Sequence, residues 1–488
     1  MGTIKKVTTN AFIYVALGFL APAVNFFLIP IYSKSLTPSD FGIITLATIV
    51  TSVLINISGM GITGAYSRFY YDVLSDDEKL RELFSSSVLA IVFFSGILGI
   101  LVFLLGQPVL DIVFKNDQFT IVTYGLFMIL TAFFSNVQSM VLSTYRNGEK
   151  VKLYSFWAIF FFVAVVAGIY WGVVIMNKGA VGSIGGRMWG VLVPSLTFLA
   201  YYFVGKGRMY FSFSLVKRML SYGTPLVFYL LLTLGFNSVD KIMLERYLSL
   251  EALGLYGFAY LVATVIEILI NALNSAVNPQ IFRLLKEGNP GSQPRIREMI
   301  SGNILVMLFV MTWIMAASGP AVEWFIDKRY HETIYYMPLL VVAYIPRLLF
   351  TYYNIPFFYF HKTQPLPWIS AVSLLFGIAL NMLLLPLLSI YGVCLAVFLT
   401  RVIQCSLAWI ISRRMNIVPK EAFYLRKELL LSLAVLLMAV ISVIFQQQLS
   451  PKWQVWAYLP MAVIYTTYLL LYITRKRWWK KLFFISNG

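Results

Sequence analysis

Four ionisable side chains stand in stretches otherwise apolar enough to cross a bilayer: Arg187 in "GSIGGRMWG", Glu267 in "YLVATVIEILINAL", Arg347 in "VVAYIPRLLFTYYN" and Arg401 in "VCLAVFLTRVIQCS". A charge at mid-bilayer costs about 2.5 to 3.5 kcal/mol on insertion scales, so a helix keeps one only where it meets water, a partner or a ligand. Three arginines against one acid leave a net positive interior. Guanidinium forks match phosphate oxygens in geometry and charge, so the chemistry on offer is capture of an anion in a cationic lumen. Arg187 lies about seven residues from the nearer end of its span, roughly 10 Å, and a stretched side chain can snorkel that far. Arg347 and Arg401 are closer to mid-span and are the stronger candidates; the alternative for them is a structural arginine bonded to carbonyls freed beside Pro346. Glu267 reads as the partner of one arginine, as a carrier of a proton or Na⁺, or as both, with ion pair and coupling site equally open.

Chemistry of other kinds finds no residues to run on. There is no phosphate loop, no G-x-S-x-G, no H-E-x-x-H and no nucleotide fingerprint, so neither an enzyme nor an ATP-driven pump is expected. Two histidines with no neighbouring acid or thiol cluster give no reason to expect a metal, and no cofactor is implied. Cys394 and Cys405 fall eleven residues apart on one predicted helix, about 16 Å along its axis, too far to bridge.

The elements that hold these side chains follow from composition. Of 488 residues, 60% are hydrophobic and only 12% charged, about half the charge of an ordinary soluble chain. Apolar runs of about 20 residues, each able to cross roughly 30 Å of hydrocarbon, recur along almost the whole length. Fourteen spans are predicted, centred near residues 20, 53, 94, 131, 164, 192, 227, 265, 308, 346, 377, 402, 438 and 464. An even number puts both termini on one side. With that side cytoplasmic, 27 of the 38 Lys and Arg fall in the tails and cytoplasmic loops and 8 in the opposite loops, the sense that the positive-inside rule requires. The remaining three are Arg187, Arg347 and Arg401. The formal charge of +18 is therefore topology rather than a nucleic-acid footprint, and the basic tail "TRKRWWKK" suits anionic headgroups, with Trp478 and Trp479 at interface depth.

A repeat organises the spans. "LTPSDFGIITLATIVTSV" (36–53) aligns with "LSLEALGLYGFAYLVATV" (248–265) at an offset of 212, matching Gly42 to Gly254 among others, and the cytoplasmic turns "RNGEKVKLYSFW" and "FHKTQPLPWISA" align at 214. Spans one to six (1–210) and seven to twelve (211–415) become two parallel six-helix bundles, with two further spans and the tail at 416–488. Halves related by a pseudo-two-fold along the membrane normal describe a transporter that rocks around a central site.

The remaining features divide between scaffold and edge. Gly182, Gly186 and Gly190 form a stripe that lets another helix approach closely. Pro22 and Pro30 in span one, and Pro338, Pro346 and Pro356 around span ten, can break helices that bend. Asp240 and Lys241 are expected to be a solvated pair at the outer edge of span seven. Arg68, with Asp72 at the inner edge of span two, and Arg146, in the turn after span four, are candidate headgroup contacts, with a solvated turn as the alternative.

The segments "LIPIYSKSLTPSDFGIITLATIV", "YGTPLVFYLLLTLGFNSVDKIMLERYLSLEALGLYGFAYLVA" and "NMLLLPLLSIYGVCLAVFLTRVI" resemble the polysaccharide transporter family, including Wzx-type O-antigen flippases. That family sits in the MOP superfamily with MATE exporters and lipid II flippases. The resemblance implies a multi-pass protein of a bacterial cytoplasmic membrane that flips undecaprenyl-diphosphate-linked oligosaccharide, driven by membrane potential or ion counter-transport. Membrane lipids and a polysaccharide polymerase are the implied partners. Lipid II is the alternative substrate, and ion-coupled export of small molecules is a further one that an arginine-rich interior argues against. The two extra spans of lipid II flippases border a groove for the lipid tail, which spans thirteen and fourteen are expected to repeat.

Overall fold

The computed structural model describes residues 13–14, 17–18, 20–206, 210–287, 291–415, 425–446 and 451–476. Trp478 and Trp479 lie outside them. Every regular element among these residues is helical, as bilayer-spanning chains with no closed barrel must be, because each backbone group has to be satisfied within its own segment.

Each of the fourteen expected spans falls on helix among the described residues. The first is broken: α1 (Leu20–Phe27) ends before Leu28, and Pro30 opens α2 (Ile29–Ser35), where its missing N–H costs nothing. The second is α3 (Pro38–Gly59) and α4 (Ile62–Tyr70), turned at Met60 and Gly61 in left-handed conformation. Then follow α5 (Asp77–Val113), α6 (Ile121–Asn147), α7 (Val151–Tyr170, prolonged by a π turn to Ile175), α8 (Gly179–Lys206), α9 (Phe213–Tyr247), α10 (Leu250–Glu287) and α11 (Ser292–Phe325). Span ten comprises α12 (Thr333–Val342) and α13 (Tyr344–Tyr359), parted at Ala343 between Pro338 and Pro346. The 50-residue α14 (Pro365–Arg414) is two spans bent at Ser389, three residues after Pro386. α15 (Arg426–Gln446) and α16 (Pro451–Lys476) complete the set. Eleven of the described segments are long and apolar enough to cross a membrane, α14 being counted once among them.

By internal packing the chain forms two compact units, residues 1–257 and 258–488. This division lies beyond the 210/211 boundary that the repeat predicts, for a physical reason found in the first unit. The C-terminal end of α9 is pinned to the end of α5. The buried Glu245 carboxylate accepts the Lys115 backbone N–H at 3.0 Å, and Arg246 Nη1 donates to the Ile112 carbonyl at 2.5 Å. Span seven therefore packs with spans two and three. Packing contacts and sequence repeat are separate properties of the chain.

The repeat has a physical counterpart inside the first unit. A Cβ on Gly42 would overlap the carbonyl of Leu250, and one on Gly254 would overlap the carbonyl of Pro38. Leu250 and Gly254 are the repeat equivalents of Pro38 and Gly42. Residue i meets j while the equivalent of i meets the equivalent of j, the reciprocity that a two-fold axis between two segments imposes.

Lipid is as apolar as leucine, so helix association inside a membrane depends on close approach and interhelical hydrogen bonds. The glycine stripe of α8 supplies the first: Gly182, Gly186 and Gly190 lie against the backbone of α7 at Gly172, Gly168 and Val165. Asn136 supplies the second, its Nδ2 donating to the Ile55 carbonyl and to Ser58 Oγ, both at 3.1 Å, which ties α6 to α3. Tyr66 and Thr144 bond at 2.7 Å near the other end of α6. Asp40 closes a capping box with Thr37 and also accepts the Ala180 N–H at 3.3 Å, fixing the start of α8 beside the start of α3. These contacts hold Arg187 in position.

Outside the spans, Asp76 caps α5 by accepting the N–H groups of Glu78 and Lys79, both at 3.1 Å. The Lys79 N–H and ammonium hold its carboxyl below the usual range. Its contribution is present above the ordinary carboxylate pKa and is lost as pH falls through the lowered one.

Candidate functional site

Helices α3, α4, α6, α7 and α8, with Leu17, Gly18, Leu20 and Val24, enclose a cavity of about 540 Å³ in the first unit. Arg187 reaches it from α8, and Arg146 stands at the end of α6, exposed, with Nη2 donating to Ser143 Oγ at 3.3 Å. Its lining includes no Asp or Glu among the described residues. Between the two arginines the walls carry hydroxyls and one amide rather than charge. α6 contributes Thr131, Ser135, Gln138, Ser139 and Ser143, all on one face, and α3 contributes Thr48, Thr51 and Ser52.

A stripe of this kind is legible in the sequence. Polar residues at 131, 135, 138, 139, 143 and 146 recur with the helical period on an otherwise apolar span. A search for intramembrane charge passes over it because serine, threonine and glutamine are inexpensive in a helix. Each hydroxyl can bond back to the carbonyl four residues earlier, as Thr131 does to Phe127 at 2.6 Å.

The other two arginines belong to the second unit and are engaged there. Arg401 is only 6% exposed. Its Nη1 donates to the Ala343 carbonyl at 3.2 Å, and its guanidinium carbon lies 4.3 Å from the centre of the Tyr344 ring. Ala343 is the junction residue of the broken span ten, so Arg401 staples the break. Arg347 Nη2 bonds Glu267 Oε1 at 2.8 Å, with the side chains 29% and 28% exposed. The arginine partner expected for Glu267 is thus Arg347. The three arginines thus divide: Arg187 lines a cavity, whereas Arg347 is paired and Arg401 is spent on backbone.

At the membrane edge, Arg68 is exposed, bonds Asp72 at 2.9 Å and is not part of the cavity wall, the solvated-turn alternative. Asp240 and Lys241 depart from expectation. Asp240 is 3% exposed, accepts the Tyr256 hydroxyl at 2.5 Å, and sits 3.3 Å from the Lys241 ammonium, which also donates to the Asn237 carbonyl. The pair is buried because α9 runs on to Tyr247 and the first turns of α10 cover it. No cluster of His, Cys, Asp or Glu able to hold a metal occurs among the described residues, and Cys394 and Cys405 are buried free thiols.

The second unit has its own concavity, an apolar groove of about 730 Å³ between α13, α14 and α15. Pro346, Leu349, Phe398, Leu429 and Leu433 line it. Arg413 and Arg426 stand at one end, Arg413 lying 4.9 Å from the centre of the Trp409 ring. Span thirteen borders this groove. Span fourteen instead packs on span nine, where Trp313 Nε1 donates to Thr466 Oγ1 at 3.1 Å and the Tyr472 hydroxyl donates to the Glu298 carbonyl at 3.0 Å.

Comparison with known proteins agrees with this architecture. The family model described as polysaccharide biosynthesis protein matches residues 7–285. An Lsg locus protein of Haemophilus influenzae is 22% identical over 386 residues, covering 77% of this chain and 90% of that protein. An uncharacterized membrane protein of the same organism is 22% identical over 384 residues, covering 74% and 86%. Among solved structures, the lipid II flippase MurJ in an inward closed conformation superposes with a TM-score of 0.69 at 13% identity, over 93% of this chain and 98% of that one. An inward-facing MATE-family multidrug resistance transporter of the MOP superfamily gives 0.66 at 14%, over 83% and 98%. The chain is a multi-pass membrane protein with the fold of these transporters, and it belongs to the polysaccharide biosynthesis protein family that its sequence resembles.

Proposed function

We propose that the protein is a flippase that moves an undecaprenyl-diphosphate-linked oligosaccharide, a repeat unit of O-antigen, capsule or exopolysaccharide, across the cytoplasmic membrane by alternating access. The observation that carries this reading is the cavity of the first unit, with Arg187 inside it, Arg146 at its end and no acid in its wall among the described residues. A diphosphate leaving water must exchange its hydration for donors of comparable strength, and guanidinium groups offer charge-assisted, bidentate ones. A cavity built for small cations would carry carboxylates instead, which argues against export of cationic compounds.

In this reading the headgroup enters at the Arg146 end, which the charge bias of the loops assigns to the cytoplasm. It is neutralised at Arg187 and released after the two six-helix halves, 1–210 and 211–415, rock outward. The polyprenyl tail stays in lipid, along the apolar groove beside span thirteen. Membrane potential or ion counter-transport supplies the drive. The second reading, a lipid II flippase, is favoured by the likeness to MurJ and shares the same diphosphate chemistry.

The test is transport by the full chain in vesicles loaded with lipid-linked oligosaccharide or with lipid II, scored by the appearance of headgroups on the far leaflet. Arg187→Ala is expected to abolish transport of the oligosaccharide lipid. Wild-type rates from Arg187→Ala would overturn the cavity's role, and transport of lipid II alone would move the assignment to the second reading.

A further inference from the structure

We infer that the polar walls between the two arginines form a saccharide-reading site, in which spans two and four hold the sugars next to the diphosphate. The inference rests on the flippase reading and divides its cavity into two chemically distinct parts.

The division follows from where the protons are. On the α3 wall Thr48 Oγ1 donates to the Ile44 carbonyl and Ser52 Oγ to the Thr48 carbonyl, each at 2.8 Å. Their single protons are spent within the helix, so they face the cavity as acceptors. On the α6 wall Ser135, Gln138 and Ser139 line the same cavity. None of the three has a side-chain hydrogen-bond partner among the described residues, and Ser139 is exposed although it sits mid-span. Gln138 brings two donors and a carbonyl acceptor.

A phosphate oxygen only accepts. It has nothing to gain from hydroxyls whose protons are committed, and it goes to the guanidinium groups. A sugar hydroxyl donates and accepts at once, so it can give its proton to Thr48 or Ser52 and take one from Gln138, Ser135 or Ser139. The α3 wall thus offers the Thr48 and Ser52 acceptors beside a Thr51 hydroxyl that has no side-chain bond among the described residues, and it faces the mixed groups of α6, a complement to a pyranose edge that donates and accepts. From Ser139 to Arg146 is seven residues, roughly 10 Å along the helix, room for a diphosphate at the arginine with its first sugar on the stripe.

The experiment compares two probes on the detergent-solubilised full chain: lipid-linked oligosaccharide extracted from the source cells, and the same lipid stripped to its bare diphosphate. Binding is read by titration, with a melting curve for each variant confirming that it is folded. Gln138→Ala combined with Ser139→Ala, and separately the near-isosteric Thr48→Val, should weaken the sugar-bearing lipid about tenfold, as expected for one or two lost hydrogen bonds. The bare diphosphate lipid should change less than about twofold. Arg187→Ala should weaken both probes alike. Equal losses on both probes from the stripe variants, or none on the sugar-bearing lipid, would overturn the saccharide site while leaving the flippase reading in place. A wild-type chain that binds neither probe would overturn both.

Discussion

Arg187 and Arg401 are the same residue type in comparable places, yet their surroundings give them opposite work. In the first unit, α8 lies against α7 through glycines, and that approach leaves Arg187 facing a cavity whose walls carry no acid among the described residues. In the second unit, span ten is broken between two prolines, and Arg401 is drawn into the break, onto the Ala343 carbonyl and the Tyr344 ring. What separates them is whether the neighbouring backbone has an unmet need. At the break in span ten the Ala343 carbonyl takes a guanidinium bond, whereas Arg187 stands on an unbroken helix and reaches a cavity wall. By the same rule Arg347, beside Glu267, is held by a partner rather than by the cavity that the sequence assigns it.

The comparison breaks most readily at Arg187. On the proposed reading, replacing it with Ala removes two or more charge-assisted hydrogen bonds to a phosphate, each about 1.5 to 3 kcal/mol, so transport should fall by at least about 100-fold. The melting temperature should stay close to that of the wild type. Arg401→Ala should give the reverse order of effects, a stability loss of about 1 to 3 kcal/mol from the stranded Ala343 carbonyl. That loss is read as a lowered melting midpoint in detergent, with transport lost only in proportion to folded protein. An Arg401→Ala protein that melts normally but does not transport would place Arg401 among the ligands and erase the contrast.

The sequence carries the architecture further than it carries the site. Fourteen spans follow from hydropathy and the lysine and arginine count, because the bilayer imposes one length and one charge bias on every crossing. The repeat follows from Gly42 and Gly254, which must be small because each meets the other segment's backbone. The site is harder because a span's sequence does not say which neighbour each face meets. Arg187, the arginine nearest the end of its span and so the easiest of the three to dismiss as snorkelling, is the one that lines a cavity, and the difference lies in packing against α7. The reverse holds for Asp240 and Lys241, where a boundary misjudged by a few residues turned a buried cluster with Tyr256 into a solvated pair. The polar stripe of span four is legible as a helical period of uncharged polar residues, which a reading by charge alone does not find.

Smaller effects sharpen the contrast. Glu267→Gln unpairs Arg347 in a site about a quarter exposed, where screening limits the cost to about 1 kcal/mol or less. With the carboxylate committed to a structural pair, the dependence of transport on an imposed pH gradient should not change. Its disappearance would make Glu267 a proton carrier and move part of the mechanism into the second unit.

The smallest effect is expected at the membrane edge, where Arg68 and Arg146 offer an internal control for the cavity. Both are exposed, and both are candidate headgroup contacts by sequence. Arg146 belongs to the cavity wall, whereas Arg68 is turned to Asp72 outside it. Arg68→Ala breaks an exposed pair worth about 0.5 kcal/mol and should leave transport unchanged. Arg146→Ala should slow transport several-fold by weakening capture at the entrance, and the deficit should shrink at higher salt, because solvent-exposed charge is screened over about 10 Å at 0.1 M. If the two variants behaved alike, proximity to the cavity would not be what distinguishes a basic residue that binds substrate from one that merely marks the cytoplasmic side.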